Sequence, residues 1–292
     1  MVTFKEQRPD AIEQFELEAK VQNAPLLFAP PLEYYDTNLR KIGVPGKHQR
    51  QNASIAVAMC NIFMRKWNGE EIDYTDENLF AQKPGKFQFI ENFAHSLQNT
   101  YWPGRSHKVA ISVGPNCPPL KLYLDGCHTV VSIAACVSWF LEKKEKPGHV
   151  QSTLIFNLSH GRNAEEIFRA IAALEHFAPF DYCIFTNFDT LLHPPAEKQS
   201  PAQQKELLAA YRKVFSNSDA QIASFVFFSF FGYNSFLNLA FSSIPDAIKI
   251  VIDRAKGSPT INHKVLVCGS FYLVGGVLEC MIKDGLMRPL FT

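Results

Sequence analysis

The sequence predicts an α/β fold with a mostly parallel, Rossmann-like sheet, and three observations carry that prediction. From about residue 109 to residue 283, short apolar runs alternate with segments of helical period. Such alternation implies parallel strands joined by right-handed crossovers. One apolar run, Leu120-Lys121-Leu122-Tyr123-Leu124, ends in Asp125-Gly126-Cys127-His128-Thr129 and passes at once into a helical pattern. Ligands of open α/β sheets sit at junctions of that kind, because strand carboxyl ends and helix amino ends converge there. Finally, 292 residues at 47% apolar and 13% aromatic content are enough to fill two cores.

Residues 1–4 read as a strand already under way, and the charged stretch from Lys5 has none of the apolar core of a secretory signal. The start therefore reads as internal. Pro9-Asp10 suits a helix entrance, and Ile12, Phe15 and Ala19 recur at helical spacing, which predicts a helix over 9–21. A short buried strand at 24–29 ends at Pro30-Pro31. After the turn 43–48 an amphipathic helix is expected over 52–67, with Ala56, Met59, Cys60, Phe63 and Trp67 on its buried face. His48 and Asn52 share a face if the helix begins by His48; otherwise Asn52 is its cap. Residues 71–100, with Pro84 and Gly85, read as a linker carrying at most a short helix.

A second domain is expected over 101–292. A turn at 101–105 presents Arg105 just before a strand at 109–113, and the Asp125 strand follows a Pro-rich loop. A helix over 130–144 should bury Val130, Ile133, Ala134, Val137, Phe140 and Leu141. Strand 153–158, helix 164–177, strand 181–186, helix 203–215, helix 245–256, strand 264–268 and helix 270–283 complete the pattern. Residues 188–204, with three prolines, read as a loop insertion. The Phe-rich run 222–241 just reaches a bilayer span, but Ser224, Ser229, Asn234, Ser235 and Asn238 interrupt it, so a buried strand plus an inserted apolar segment is expected instead.

The parallel arrangement places residues 125–129, 157–163 and 269–270 on one edge of the sheet. Gly161-Arg162-Asn163 and Gly269-Ser270, each at a helix start, suit either an anion or ordinary capping. Asp125 likewise reads either as a ligand contact or, with Thr129, as a helix cap. Lys and Arg number 29 against 28 acids, and no basic run supplies a nucleic-acid footprint. The seven cysteines are scattered without a CxxC pair, which predicts reduced thiols used mainly as core filler rather than a disulfide frame or a zinc site.

Four stretches in order resemble the folylpolyglutamate synthase family, relatives of the Mur peptide ligases. They are His48-Gln49-Arg50-Gln51-Asn52-Ala53, Trp102-Pro103-Gly104-Arg105, Tyr123-Leu124-Asp125-Gly126-Cys127-His128-Thr129, and Gly269-Ser270-Phe271-Tyr272-Leu273-Val274-Gly275-Gly276-Val277-Leu278. The resemblance implies a Mur-ligase-like carboxy-terminal domain at 101–292, a linker at 71–100, and, at 1–70, the tail of a P-loop ATPase domain. It also implies a ligase that uses ATP to phosphorylate the terminal carboxylate of a folyl substrate, after which the amine of L-glutamate attacks the acyl phosphate. Tetrahydrofolate polyglutamates are the implied partners, with ATP, magnesium and potassium as the implied cofactors, and no nucleic acid or membrane. The implied complete protein is a cytoplasmic or mitochondrial monomer.

Carried over by position, Arg105, Asp125 and Asn52 are the implied nucleotide contacts, while His128 and Ser270 face the phosphate and incoming glutamate. Two departures stand out. No GxxxxGKS or GxxxxGKT sequence occurs, so no magnesium ligand is assigned within these residues, and Cys127 stands where the family usually has alanine. A non-catalytic nucleotide- or glutamate-binding remnant is the alternative reading. A ligand-edge acid contributes little to a core, so Asp125→Ala is expected to lower activity far more than stability.

Overall fold

The computed structural model describes residues 1–35, 42–76, 79–80, 91–142, 149–158, 161–175, 177–178, 180–187, 201–215 and 243–288. The expectation for 222–241, and that for 188–200, lie outside them. The chain divides into two compact units, Met1–Tyr101 and Trp102–Thr292.

The first unit holds strand β1 (Val2–Thr3), helix α1 (Pro9–Val21), strand β2 (Leu27–Phe28), the short helix α2 (Leu32–Tyr35), the long helix α3 (Lys47–Trp67) and helix α4 (Glu91–Asn99). β1 and β2 pair in parallel. Leu27, Leu32, Tyr35, Val57 and Ala58 centre its core.

The expected buried face of α3 is overturned. Ser54, Val57, Ala58 and Asn61 are the buried residues of this helix, whereas Met59, Cys60, Phe63 and Trp67 are exposed, Trp67 by 80%. Apolar residues cover more than half the helix circumference, so periodicity alone does not say which arc meets the unit's own core. The small side chains of Ser54 and Ala58 let the helix approach closely on that side, and the Ser54 hydroxyl donates to the Pro30 carbonyl. The helix also starts at Lys47, so Asn52 lies inside it and is not its cap.

The second unit is built on a five-stranded sheet. Its elements are β3 (His107–Ile111), β4 (Leu120–Asp125), α5 (Val130–Glu142), β5 (Val150–Phe156), α6 (Ala164–Ala172), β6 (Tyr182–Phe185), α7 (Pro201–Phe215), α8 (Ile244–Gly257), β7 (Asn262–Cys268) and α9 (Phe271–Lys283). The strand order is β3-β4-β7-β5-β6. All neighbours are parallel except β3, which runs antiparallel to β4. The predicted α/β class with a mostly parallel sheet is what the chain adopts.

Both faces of this sheet are apolar, and the pleat divides them. Tyr123, Leu154, Phe156 and Leu266 point into one core with α5, α6 and α7. Leu122, Leu124, Ile155, Val265 and Val267 point into the other with α8 and α9. A strand buried on both sides reads as a continuous apolar run, and that is why β4, β5 and β7 stood out in the sequence.

Several boundaries move. The helix expected over 164–177 stops at Ala172, because Leu174 and Phe177 continue as turns with i→i+3 hydrogen bonds while still packing on the same core. Residues 201–204, expected in a loop, open α7, with Pro201 in the first turn where a missing N–H costs nothing. α5 also buries Cys136 and Trp139, a wider arc than the predicted stripe.

Candidate functional site

The site follows from the order of the strands. β7 is the last strand among the described residues but lies between β4 and β5. The helices that leave neighbouring strands β4 and β7 go to opposite faces: α5 joins the core with α6 and α7, and α9 joins the core with α8. Two connections diverging in this way open a crevice at the carboxyl ends of the strands. Asp125 ends β4 and Cys268 ends β7, and the two are register partners.

Asp125 is 3% exposed. Its Oδ2 accepts from the Ser106 N–H at 2.7 Å and its Oδ1 from the Cys127 N–H at 2.9 Å. Arg105 Nη1 lies 3.6 Å from Oδ1. Because β3 is antiparallel to β4, with His107 opposite Leu124, the turn before β3 arrives beside the end of β4. That register brings Arg105 and Asp125 together. The guanidinium stacks over the Phe271 ring at 4.2 Å. It stays more than a third exposed, so one face is open to a ligand. Burial is the main cause that pushes the Asp125 carboxyl up to about 7; the neighbouring Cys127 adds to the rise, and the Ser106 N–H and Arg105 oppose it.

Close approach shapes the same corner. A Cβ on Gly126 would stand 2.4 Å from the Phe271 ring, so only glycine lets that ring slide beneath Arg105. Gly269 has φ +104°, and a Cβ there would lie 1.9 Å from the Asn157 carbonyl oxygen.

The remaining candidates have defined positions. Thr129, not Asp125, caps α5: Thr129 Oγ1 accepts from the Ser132 N–H at 3.2 Å, and Ser132 Oγ accepts from the Thr129 N–H at 3.0 Å. His128 Nδ1 sits 2.9 Å from the Gly126 carbonyl. As the donor tautomer there, it leaves Nε2 to reach a ligand. Arg162 donates to the His128 carbonyl. Ser270 is buried and caps α9, its Oγ accepting from the Tyr272 N–H at 3.1 Å. Asn163 caps α6. Both helix starts considered for anions therefore carry side-chain caps.

Asn157 ties β5 to β6 by donating to the Thr186 carbonyl at 2.6 Å. In the first unit, Asn52 is exposed, shares α3 with His48 and donates to Gln49 at 3.1 Å.

Sequence reasoning missed three parts of this corner. Ser106 supplies a backbone donor from a left-handed conformation (φ 44°), and its buried hydroxyl lacks a hydrogen-bond partner among the described residues. Only the strand register reveals it. Phe271 was within reach, since it directly follows the Gly-Ser helix start. Cys127 from the loop after β4, Cys136 from α5 and Cys268 from β7 share one buried cluster beside the end of β4, a grouping that their spacing along the chain does not suggest.

The sheet order, the divergent helices and the acid closing β4 define a Mur-ligase-like carboxy-terminal α/β domain. The family model for the dihydrofolate synthetase C-terminal domain matches residues 115–280. The chain belongs to the folylpolyglutamate synthase family, and the match falls on that family's carboxy-terminal portion.

Among curated relatives, the mitochondrial folylpolyglutamate synthase of Cricetulus griseus is 26% identical over 183 residues, which cover 57% of this chain and 29% of the relative. The folylpolyglutamate synthase of Candida albicans is 27% identical over 275 residues, covering 87% of this chain and 48% of the relative. Among solved structures, Mycobacterium tuberculosis folylpolyglutamate synthase complexed with ADP and AMPPCP superposes with a TM-score of 0.57 at 15% identity, over 99% of this chain and 55% of that one. The chain thus spans half or less of the length of these curated relatives. No helix among the described residues is long and apolar enough to cross a membrane.

Proposed function

We propose that this chain supplies the carboxy-terminal part of a folylpolyglutamate synthase, which adds L-glutamate to tetrahydrofolate polyglutamates in an ATP-dependent reaction. Residues 1–70 then correspond to the tail of its ATP-binding domain, 71–100 to the linker and 101–292 to the carboxy-terminal ligase domain. The observation that carries this reading is the Arg105–Asp125 pair at the mouth of the β4/β7 crevice, with Asp125 inside the stretch 115–280 that the family model matches and Arg105 ten residues before it.

The residues fit a nucleotide. Arg105 presents a half-open guanidinium for phosphate or an adenine face, and Asp125, beside the Ser106 hydroxyl that has no partner among the described residues, offers polar atoms to ribose or base donors. Asn52 is the proposed adenine-side contact in the first unit.

In the proposed reaction the γ-phosphoryl of ATP passes to the substrate's terminal carboxylate and ADP leaves. The glutamate amine then attacks the acyl carbonyl, an amide bond forms and phosphate departs. His128 Nε2 and the helix start at Ser270 are proposed to face that phosphate and the incoming glutamate. Magnesium, with potassium as a further cation, would offset phosphate charge, and its ligands belong to the amino-terminal half of the complete enzyme, as does the phosphate-cradling loop. Cytoplasm or mitochondria is the proposed setting, and the complete enzyme a monomer.

The test is glutamate- and ATP-dependent extension of a tetrahydrofolate substrate by this chain, alone and joined to an amino-terminal half that carries a P-loop. Activity only in the joined form is expected. Nucleotide or glutamate binding with no turnover in either form would instead support a non-catalytic remnant.

A further inference from the structure

Behind the crevice, one oxygen of Asp125 and the sulfurs of Cys127 and Cys136 all lie within 4.8 Å of one another, and all three residues are buried. Cys268, fully buried at the end of β7, belongs to the same buried cluster as both thiols. We propose that this cluster is a binding site for a thiophilic divalent cation of the zinc type, held by Cys127 Sγ, Cys136 Sγ and the Asp125 carboxylate.

The geometry suits that ion. Tetrahedral zinc binds thiolate sulfur at about 2.3 Å and carboxylate oxygen at about 2.0–2.2 Å, which sets donors roughly 3.5–3.8 Å apart. Side-chain shifts of about 1 Å close the observed group to that spacing. Sulfur donors select zinc-type ions over magnesium or calcium, which prefer all-oxygen shells. Asp125 ends β4 and Cys136 sits on α5, both fixed by the cores, while buried Cys127 lies in the short connection between those two elements. Donors held close together by packed elements leave little ordering for the ion to impose.

Electrostatics points the same way. A carboxyl group and three thiols share a nearly dry volume, where each negative charge opposes the next. A divalent cation would offset the charge of the thiolates and the carboxylate together, and the thiol protons would be released on binding. Arg105, 3.6 Å from Asp125, would offset part of the residual negative charge.

The experiment uses the reduced, chelator-stripped 292-residue chain titrated with Co2+ as the optical probe for zinc. One equivalent should produce a thiolate-to-cobalt charge-transfer band and strong visible absorption of a tetrahedral site, both displaced by Zn2+. Cys127→Ala and Cys136→Ala should each remove the band and weaken binding by at least about 100-fold, since loss of an outer-shell partner alone costs about 10–100-fold. Cys60→Ala, at an exposed thiol, should change neither. Circular dichroism establishes that each variant is folded.

If the alanine variants fail to fold, the unmodified chain still decides. Zn2+ should slow alkylation of Cys127 and Cys136, read peptide by peptide, and leave Cys60 unaffected. Absence of the cobalt band at one equivalent, survival of the band in folded Cys127→Ala and Cys136→Ala, its loss in Cys60→Ala, or unchanged alkylation of Cys127 and Cys136 would each overturn the proposal.

Discussion

Asp125 does two jobs that pull in opposite directions. As an acceptor for the Ser106 and Cys127 N–H groups it holds the turn before β3 against the end of β4. As a buried acid beside Cys127 it is costly to ionise. Removing its oxygens leaves two buried donors unpaired, at about 1–3 kcal/mol each. Asp125→Ala should therefore lose stability as well as activity, contrary to the sequence-based expectation that a ligand-edge acid matters little to the core. The pH dependence has a definite sign. A carboxyl raised from 3.8 to about 7 binds its proton more tightly in the folded chain, so stability is full below the unfolded value and falls as pH rises through about 7. The loss from this group is at most ~4 kcal/mol. In chelator-treated protein, urea unfolding of Asp125→Asn should show a flatter profile between pH 4 and 8 (about the window from the unfolded to the folded value) than the unaltered chain. Parallel profiles would mean that Asp125 ionises freely. Arg105 and Asp125 were legible because each sits beside a chain signal, a Pro-Gly turn and a strand end. Ser106 was not, since an antiparallel register and a left-handed backbone made it a partner, and neither leaves a residue-type signature.

At the scale of elements, pattern found nearly every helix and strand of the second unit, because strands buried on both faces and helices buried on one have distinct periods. It failed on which arc of a helix is buried, as α3 shows, and on what a polar residue at a helix start is for. Ser270 is the sharpest case, since capping and chemistry call for the same side chain. Ser270→Ala should cost about 1 kcal/mol through the lost α9 cap, read as a lower melting temperature of this chain. Ser270→Asn, an equally good cap, should restore that stability. If turnover of the completed enzyme returns with Ser270→Asn, the residue acts by positioning α9; turnover that stays low despite restored stability would assign the hydroxyl to the reaction itself. Its neighbour is less forgiving. Gly269→Ala would combine a left-handed backbone with a Cβ inside the Asn157 carbonyl, and should destabilise the second unit by about 3 kcal/mol or more. A shift of less than about 1 kcal/mol in urea unfolding would show that the β7–α9 corner yields more easily than its packing implies.

At the scale of the whole molecule the two units differ in how completely they bury their apolar surface. The second encloses two cores around its sheet. The first has a small core and leaves a stripe of α3 in water, with Phe63 64% and Trp67 80% exposed and their rings stacked at 5.9 Å. Contiguous apolar surface of that kind binds other apolar surface. The 292-residue chain by itself should therefore enhance anilinonaphthalene sulfonate fluorescence under native conditions and associate increasingly with concentration in sedimentation experiments. A Phe63→Lys/Trp67→Lys double variant should suppress both effects, because lysine keeps its charged end in water while its stem still covers the helix. The pH-dependent unfolding that reports Asp125 should be unaltered, since that signal belongs to the second unit. Dye binding and association that persist unchanged in the double variant would move the source of stickiness away from α3, and with it the explanation for why an apolar period on this helix pointed to the wrong arc.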